Sequence, residues 1–205
     1  MESQLELLRL FESTFNDGEH WDFIVKVENT EFKVLKSFLK INSEVFKRMF
    51  EGDFSESKNN TVEIKEFSAP PIEHLLRFCY CGKLEATDET LIVQIYEASD
   101  KYQIHQLKSI CSKKLRELST HLTVLQRLMW AEKYTDEALI ETLIDVAVKN
   151  VEFISKQDEL ELLFITVPEI AHKLFTALVA AHSKCKSPPK PVEAVARTNA
   201  HIPFF

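Results

Sequence analysis

The sequence predicts an α+β chain, with strands confined to its first third and helices almost everywhere else. Three observations carry that class. Trp21 to Val27 is a run of aromatic and β-branched residues, followed by a second run at Glu31–Val34 and an alternating one at Asn60–Ile64. Around these runs, apolar residues recur at three- and four-residue steps, the period of a helix buried on one face. From residue 119 onward only the helical period remains.

In chain order, residues 2–15 place Leu5, Leu8, Phe11 and Phe15 on one helix face, with Leu7 and Leu10 widening the stripe. Asn16-Asp17-Gly18 ends that helix. Glu28-Asn29-Thr30 turns the first strand back on the second as a hairpin. Phe32 to Glu56 is the stretch the rest is organised around. It holds two short amphipathic helices broken at Asn42-Ser43, with Ser43 placed to cap the second by accepting from free backbone amides. Gly52 suits a left-handed helix end, and a polar loop carrying Phe54 follows.

Ala69-Pro70-Pro71 opens a helix through Tyr80, since proline is tolerated in a first turn, and Cys81-Gly82 closes it. Asp88 caps the next helix, and another starts from Ile104. Ser119 or Thr120 is expected to open a helix, as is Thr135-Asp136. Val151–Ile154, Leu160–Ile165 and Pro168–Ala181 read as further helices. The expected organisation is therefore a mixed unit at 1–118, a helical region at 119–182 and a flexible proline-containing tail at 183–205.

Composition narrows the function. Hydrophobic content of 45% with 28% charged residues is that of a folded globular protein. Only three glycines occur, so no glycine-rich phosphate loop or dinucleotide fingerprint is present. A net charge of -7 argues against nucleic acid as partner. The acids in MESQLELLRL do not fit a signal peptide, and the longest apolar run, Leu174 to Ala181, is too short for a membrane span. Four cysteines without regular spacing suit a reducing, intracellular compartment, cytoplasmic or nuclear.

Candidate chemistry is sparse. Cys79 and Cys81 have no second cysteine pair at zinc spacing and are expected to pack structurally, so no metal or cofactor is expected. The histidines form no i, i+4 pair, and His74 and His105 are expected on helix surfaces. A nucleophilic Cys79 or Cys111 is the enzymatic alternative, but no base stands at motif spacing. Phe54-Ser55-Glu56 is the stronger candidate: an apolar residue in a polar loop can fill a partner's groove, against the alternative that Phe54 folds back on its own core. Asp22 and Lys36 form a second candidate pairing, either needing each other in a buried setting or sitting as a solvated rim pair.

With those residues in hand, the chain resembles the BTB/POZ domain. The carriers are Trp21-Asp22-Phe23-Ile24-Val25, Phe32 to Leu39, Ser43-Glu44-Val45-Phe46, Met49-Phe50, Val62-Glu63-Ile64, Phe78 to Gly82 and Ala98-Ser99-Asp100-Lys101-Tyr102, completed by Leu107, Cys111 and Leu115. The match covers about residues 5–118 and is most similar to MATH-containing adaptors of the speckle-type POZ kind.

The resemblance implies a BTB/POZ fold, a small three-stranded sheet flanked by helices, followed by a helical extension like a 3-box and shortened BACK region. It implies a two-fold dimer in which Leu5, Leu7, Leu8, Phe11 and Phe15 pack across the axis and Asp22 and Lys36 form a charged pocket. It also implies a substrate adaptor of a cullin-3 ubiquitin ligase, with Phe54 and Glu56 as the hydrophobic-x-Glu element and Tyr102 lining the same contact. Where the family has His before that Lys, this chain has Leu35, which points to a looser dimer. With no MATH region before the domain and no kelch repeats after it, the substrate reader is expected in the tail, in another subunit or in a domain lost from this chain. The alternative is a BTB scaffold, for transcription or cytoskeletal assembly, or a competitor of other BTB proteins, that never meets a cullin.

Overall fold

The computed structural model describes residues 2–17, 20–52 and 55–185, without the side chains of 2–5, 7, 55, 57, 184 and 185. Its strands are β1 (Phe23–Val27), β2 (Thr30–Val34) and β3 (Thr61–Ile64). They form one sheet in the order β2-β1-β3, with β1 antiparallel to β2 and parallel to β3. The hairpin register pairs Phe23 with Val34 and Val27 with Thr30, and Glu28 turns the chain at φ +54°. Phe23, Val25 and Val27 are buried on the inner face, as β-branched and aromatic residues on a pleated face should be.

Helix α1 (Glu2–Asp17) leads into the sheet. Helices α2 (Lys36–Asn42) and α3 (Glu44–Glu51) follow the hairpin, and Ser43 caps α3 by accepting from the Phe46 amide at 3.1 Å, as expected. Two expectations give way here. Gly52 is extended (φ -85°, ψ 168°) rather than left-handed, and its amide donates to the Arg48 carbonyl. Part of the expected polar loop is a short helix, α4 (Ser55–Asn59). The left-handed helix end is Gly82 (φ +66°), whose amide donates to Phe78.

Helices α5 (Ala69–Cys81), α6 (Glu89–Lys101) and α7 (His105–Leu118) follow; α5 packs against β2, α6 lies between α5 and α7, and Ile72, Leu75, Ile92, Ile95, Leu107 and Cys111 are all fully buried. Asp88 caps α6 through the Leu91 amide at 2.7 Å. After a turn at His121–Thr123 come α8 (Val124–Lys133), α9 (Glu137–Lys149), α10 (Val151–Ile154), α11 (Asp158–Thr166) and α12 (Pro168–Cys185). The helix expected to open at Ser119 or Thr120 thus starts at Val124, the first residue there with a buried side chain. α12 runs three residues past 182, and 186–205 lie outside the described residues.

One apolar core runs through both regions. They meet at an aromatic seam in which Tyr96 packs edge-on against Trp130 (4.8 Å) and Tyr134 (5.3 Å). The polar ends of that seam are satisfied: Trp130 donates to Glu97 at 2.8 Å and Tyr96 to Asp136 at 3.0 Å.

Candidate partner-binding face

Ser43 is the pivot of the site. Besides capping α3, its hydroxyl donates to the Tyr102 carbonyl at 2.5 Å, tying the α2–α3 junction to the turn between α6 and α7. Tyr102 itself is buried, 4% exposed, and stacks on Phe46 with ring centroids 4.8 Å apart. Burial pushes its phenol pKa upward. Phe46 stacks in turn on Phe50, which meets Phe23 edge-on at 4.6 Å. This aromatic file fixes the two turns relative to the sheet.

Between those turns lies an open cleft of about 280 Å³, lined by Ile41, Ser43 and Glu44 on one side and Gln103, His105 and Gln106 on the other. Gln103 holds the left-handed conformation (φ +53°), which a non-glycine residue adopts only when its surroundings enforce it. Here the Gln103 amide donates to Asp100 and the Ile104 amide to Ser99. Ile41 stands at the lip of the cleft, 82% exposed. Sequence reasoning did not single it out; an isoleucine at the end of an amphipathic helix, off the Phe38–Leu39 face, is the signal that marks it.

The candidate contact residues divide three ways. Glu56 lies in the first turn of α4, half-buried. Tyr102 is buried behind the cleft and does not line it. Phe54 lies outside the described residues.

The residues expected at a dimer axis are also placed apart. Leu5 and Leu7 have side chains outside the description, and Leu8 is half-buried. Phe11 and Phe15 turn inward: Phe11 meets Phe38 edge-on at 5.4 Å and Phe15 meets Tyr80 at 5.2 Å, with Arg77 over the Phe15 ring. Leu10 faces out at 59% exposure. Asp22 and Lys36 do meet, but through the backbone: the Asp22 carboxylate accepts from the Lys36 amide at 2.7 Å, serving the start of α2. The Lys36 ammonium instead donates to Asn60 at 2.5 Å and lies over the rings of Phe23 and Phe50. The amide of Leu35 donates to the Tyr80 hydroxyl at 2.7 Å.

Cys79 and Cys111 are buried and free, and desolvation pushes both thiols up to about 12, so neither is a thiolate nucleophile near neutrality. Among the described residues no group of three or more His, Cys, Asp or Glu is arranged to hold a metal ion, and no helix is long and apolar enough to cross a membrane.

A short three-stranded sheet, its covering helices and a capped α2–α3 pair are the parts the sequence resemblance required, and comparison with known proteins decides the matter. The family model of the BTB/POZ domain matches residues 11–119. The chain belongs to the BTB/POZ family.

Among curated relatives, this BTB/POZ chain is 25% identical over 195 residues to BTB and MATH domain-containing protein 40 of Caenorhabditis elegans, covering 93% of this chain and 47% of that protein. It is 29% identical over 153 residues to human Kelch-like protein 24, covering 75% of this chain and 25% of that protein. It is 28% identical over 176 residues to mouse TD and POZ domain-containing protein 3, covering 82% and 47%. The chain thus spans from a quarter to about half the length of these relatives. The solved BTB domain of zebrafish PATZ1 aligns with a TM-score of 0.47 at 21% identity, over 55% of this chain and 90% of that one. As a BTB/POZ member, the protein is a protein-interaction module.

Proposed function

We propose that this BTB/POZ chain is a dimeric adaptor that docks the N-terminal region of cullin-3 and brings a ubiquitin ligase to a substrate. The observation that carries the reading is the ordered cleft between Ser43-Glu44 and Gln103–Gln106, with Ile41 standing at its lip. A helix of the partner lies along that cleft, Phe54 fills an apolar groove on the partner, and Glu56 pairs with a base or helix end beside it. Affinity in such contacts concentrates in one or two buried apolar anchors. Tyr102 acts from below: it holds Ser43 through its carbonyl and Phe46 through its ring. The helices after Leu118 act as a 3-box and shortened BACK region that lengthens the same groove. In the dimer, Leu5, Leu7, Leu8 and Leu10 of α1 supply the apolar contact that Phe11 and Phe15, engaged within the chain, leave to them. A second arm then raises effective concentration without new contacts.

The test is calorimetric titration of the full chain with the cullin-3 N-terminal region, wild type beside Phe54→Ala. Micromolar or tighter binding, weakened by about 2 kcal/mol in the variant, is the expected result. A folded wild type that does not bind overturns the reading.

A further inference from the structure

Helix α7 carries a polar stripe that the partner-binding face does not use. His105, Lys108, Ser109, Ser112 and Arg116 recur at three- and four-residue steps, which places them along one side of the helix. They line a cavity of about 330 Å³ whose far wall is Thr135 to Ala138, at the start of α9. The cavity therefore lies in the seam between the sheet-bearing unit and the helices that follow.

Most charges around it already have partners. The Asp136 carboxylate accepts from the Leu139 amide with one oxygen (3.1 Å) and from the Tyr96 hydroxyl with the other (3.0 Å). Glu137 holds the Lys173 ammonium at 2.9 Å, and Lys108 is paired with Asp100 at 2.6 Å. Two donors remain. Ser112 is 7% exposed, and no hydrogen bond of its hydroxyl occurs among the described residues. One turn further along α7, the Arg116 Nε is a fully buried atom, also without a partner. Buried donors in folded proteins are almost always satisfied, and the Arg116 Nε is one that is not; the rest of that guanidinium side chain and Ser112 line the cavity. A guanidinium stays charged at all working pH values and binds oxyanions through charge-assisted hydrogen bonds. The opening turn of α9 adds the positive end of its dipole from across the cavity.

We propose that this seam cavity binds an oxyanion, a phosphate or carboxylate group, which accepts from the Ser112 hydroxyl and the Arg116 guanidinium beside the first turn of α9. Occupancy bridges α7 to α9 and stiffens the junction of the two regions. The proposal is independent of which protein the cleft near Ile41 binds.

The test follows backbone amide resonances of the full chain during titration with inorganic phosphate and, separately, with acetate, at ionic strength held constant with sodium chloride. Saturable shifts are expected at Ser112, Arg116 and Thr135–Ala138. Saturation by phosphate alone identifies a phosphate site, and saturation by both anions extends it to carboxylates. Arg116→Gln is expected to weaken binding about tenfold or more, the worth of one charge-assisted hydrogen bond. Ser112→Ala is expected to weaken it about threefold while leaving the melting temperature unchanged or higher, because the hydroxyl loses no internal partner. Absence of saturable shifts with either anion, or equal affinity in both variants and wild type, overturns the proposal.

Discussion

Through Leu118, a sheet and the helices after it share one core, and few large apolar side chains are left outside. From Val124 onward helices pack on one another and on the seam alone, and their outer faces carry Leu162, Phe164, Ile165, Phe175 and Val179 in solvent. The difference teaches where specificity is built. The sheet-bearing region encloses its aromatic file, Phe23, Phe50, Phe46 and Tyr102, and thereby holds two turns rigidly enough to form a cleft. The helical region instead presents apolar surface on α11 and α12.

The contrast breaks most sharply in the aromatic file. Phe46→Ala, at a fully buried site, is expected to lower unfolding free energy by about 3–5 kcal/mol. The same truncation at exposed Phe175 should change it by no more than about 0.5 kcal/mol. Chemical denaturation of the two variants measures both, and comparable losses would mean that the helical region is as enclosed as the first.

Alkaline pH is expected to attack the first region next. Cys79 and Cys111 lie there, each raised from an ordinary 9.0 to about 12 by burial, and Tyr96 and Tyr102 are raised in the same direction. A group whose pKa rises on folding stabilises the fold fully below its unfolded value and loses that contribution as pH climbs toward the folded one. Stability should therefore hold to about pH 9 and fall beyond it, with each thiol withdrawing about 2 kcal/mol by about pH 10.5. Melting curves across that window check the onset.

Removing the pivot is a smaller change. Ser43→Ala loses the α3 cap and the bond to Tyr102 and should lower stability by about 1–2 kcal/mol. Its amide exchange should quicken at Gln103–Gln106 as well as in α3, which a cap acting on α3 alone does not produce. Smallest of all, Ile41→Asp should leave the melting temperature within error, since the residue is exposed, yet weaken cullin-3 binding about tenfold or more if the cleft is the docking site.

Much of this was legible in the sequence because it is local. Ser43, Asp88 and Asp136 each stand where a capping oxygen reaches an amide three residues on, and each does so. The hairpin at Glu28-Asn29 follows from the flanking β-branched runs. What escaped depends on distant partners. Gly52 is extended, φ -85° and ψ 168°, a conformation open to any residue, so its being glycine did not foretell it. The meeting of Asp22 with the Lys36 amide rather than its ammonium, and the burial of Tyr102 under Phe46, depend on packing that no local spacing encodes. The polar side of α7 from His105 to Arg116 was not singled out either, because only the seam with α9 turns it into a cavity.

The most direct test of the docking face is amide hydrogen exchange of the full chain with and without the cullin-3 N-terminal region. Slowed exchange is expected across α2, α3, α4 and the turn from Tyr102 to Gln106, with any protection of the helices after Leu118 additional to it. Protection confined to α11 and α12, or none in a folded chain, would contradict it.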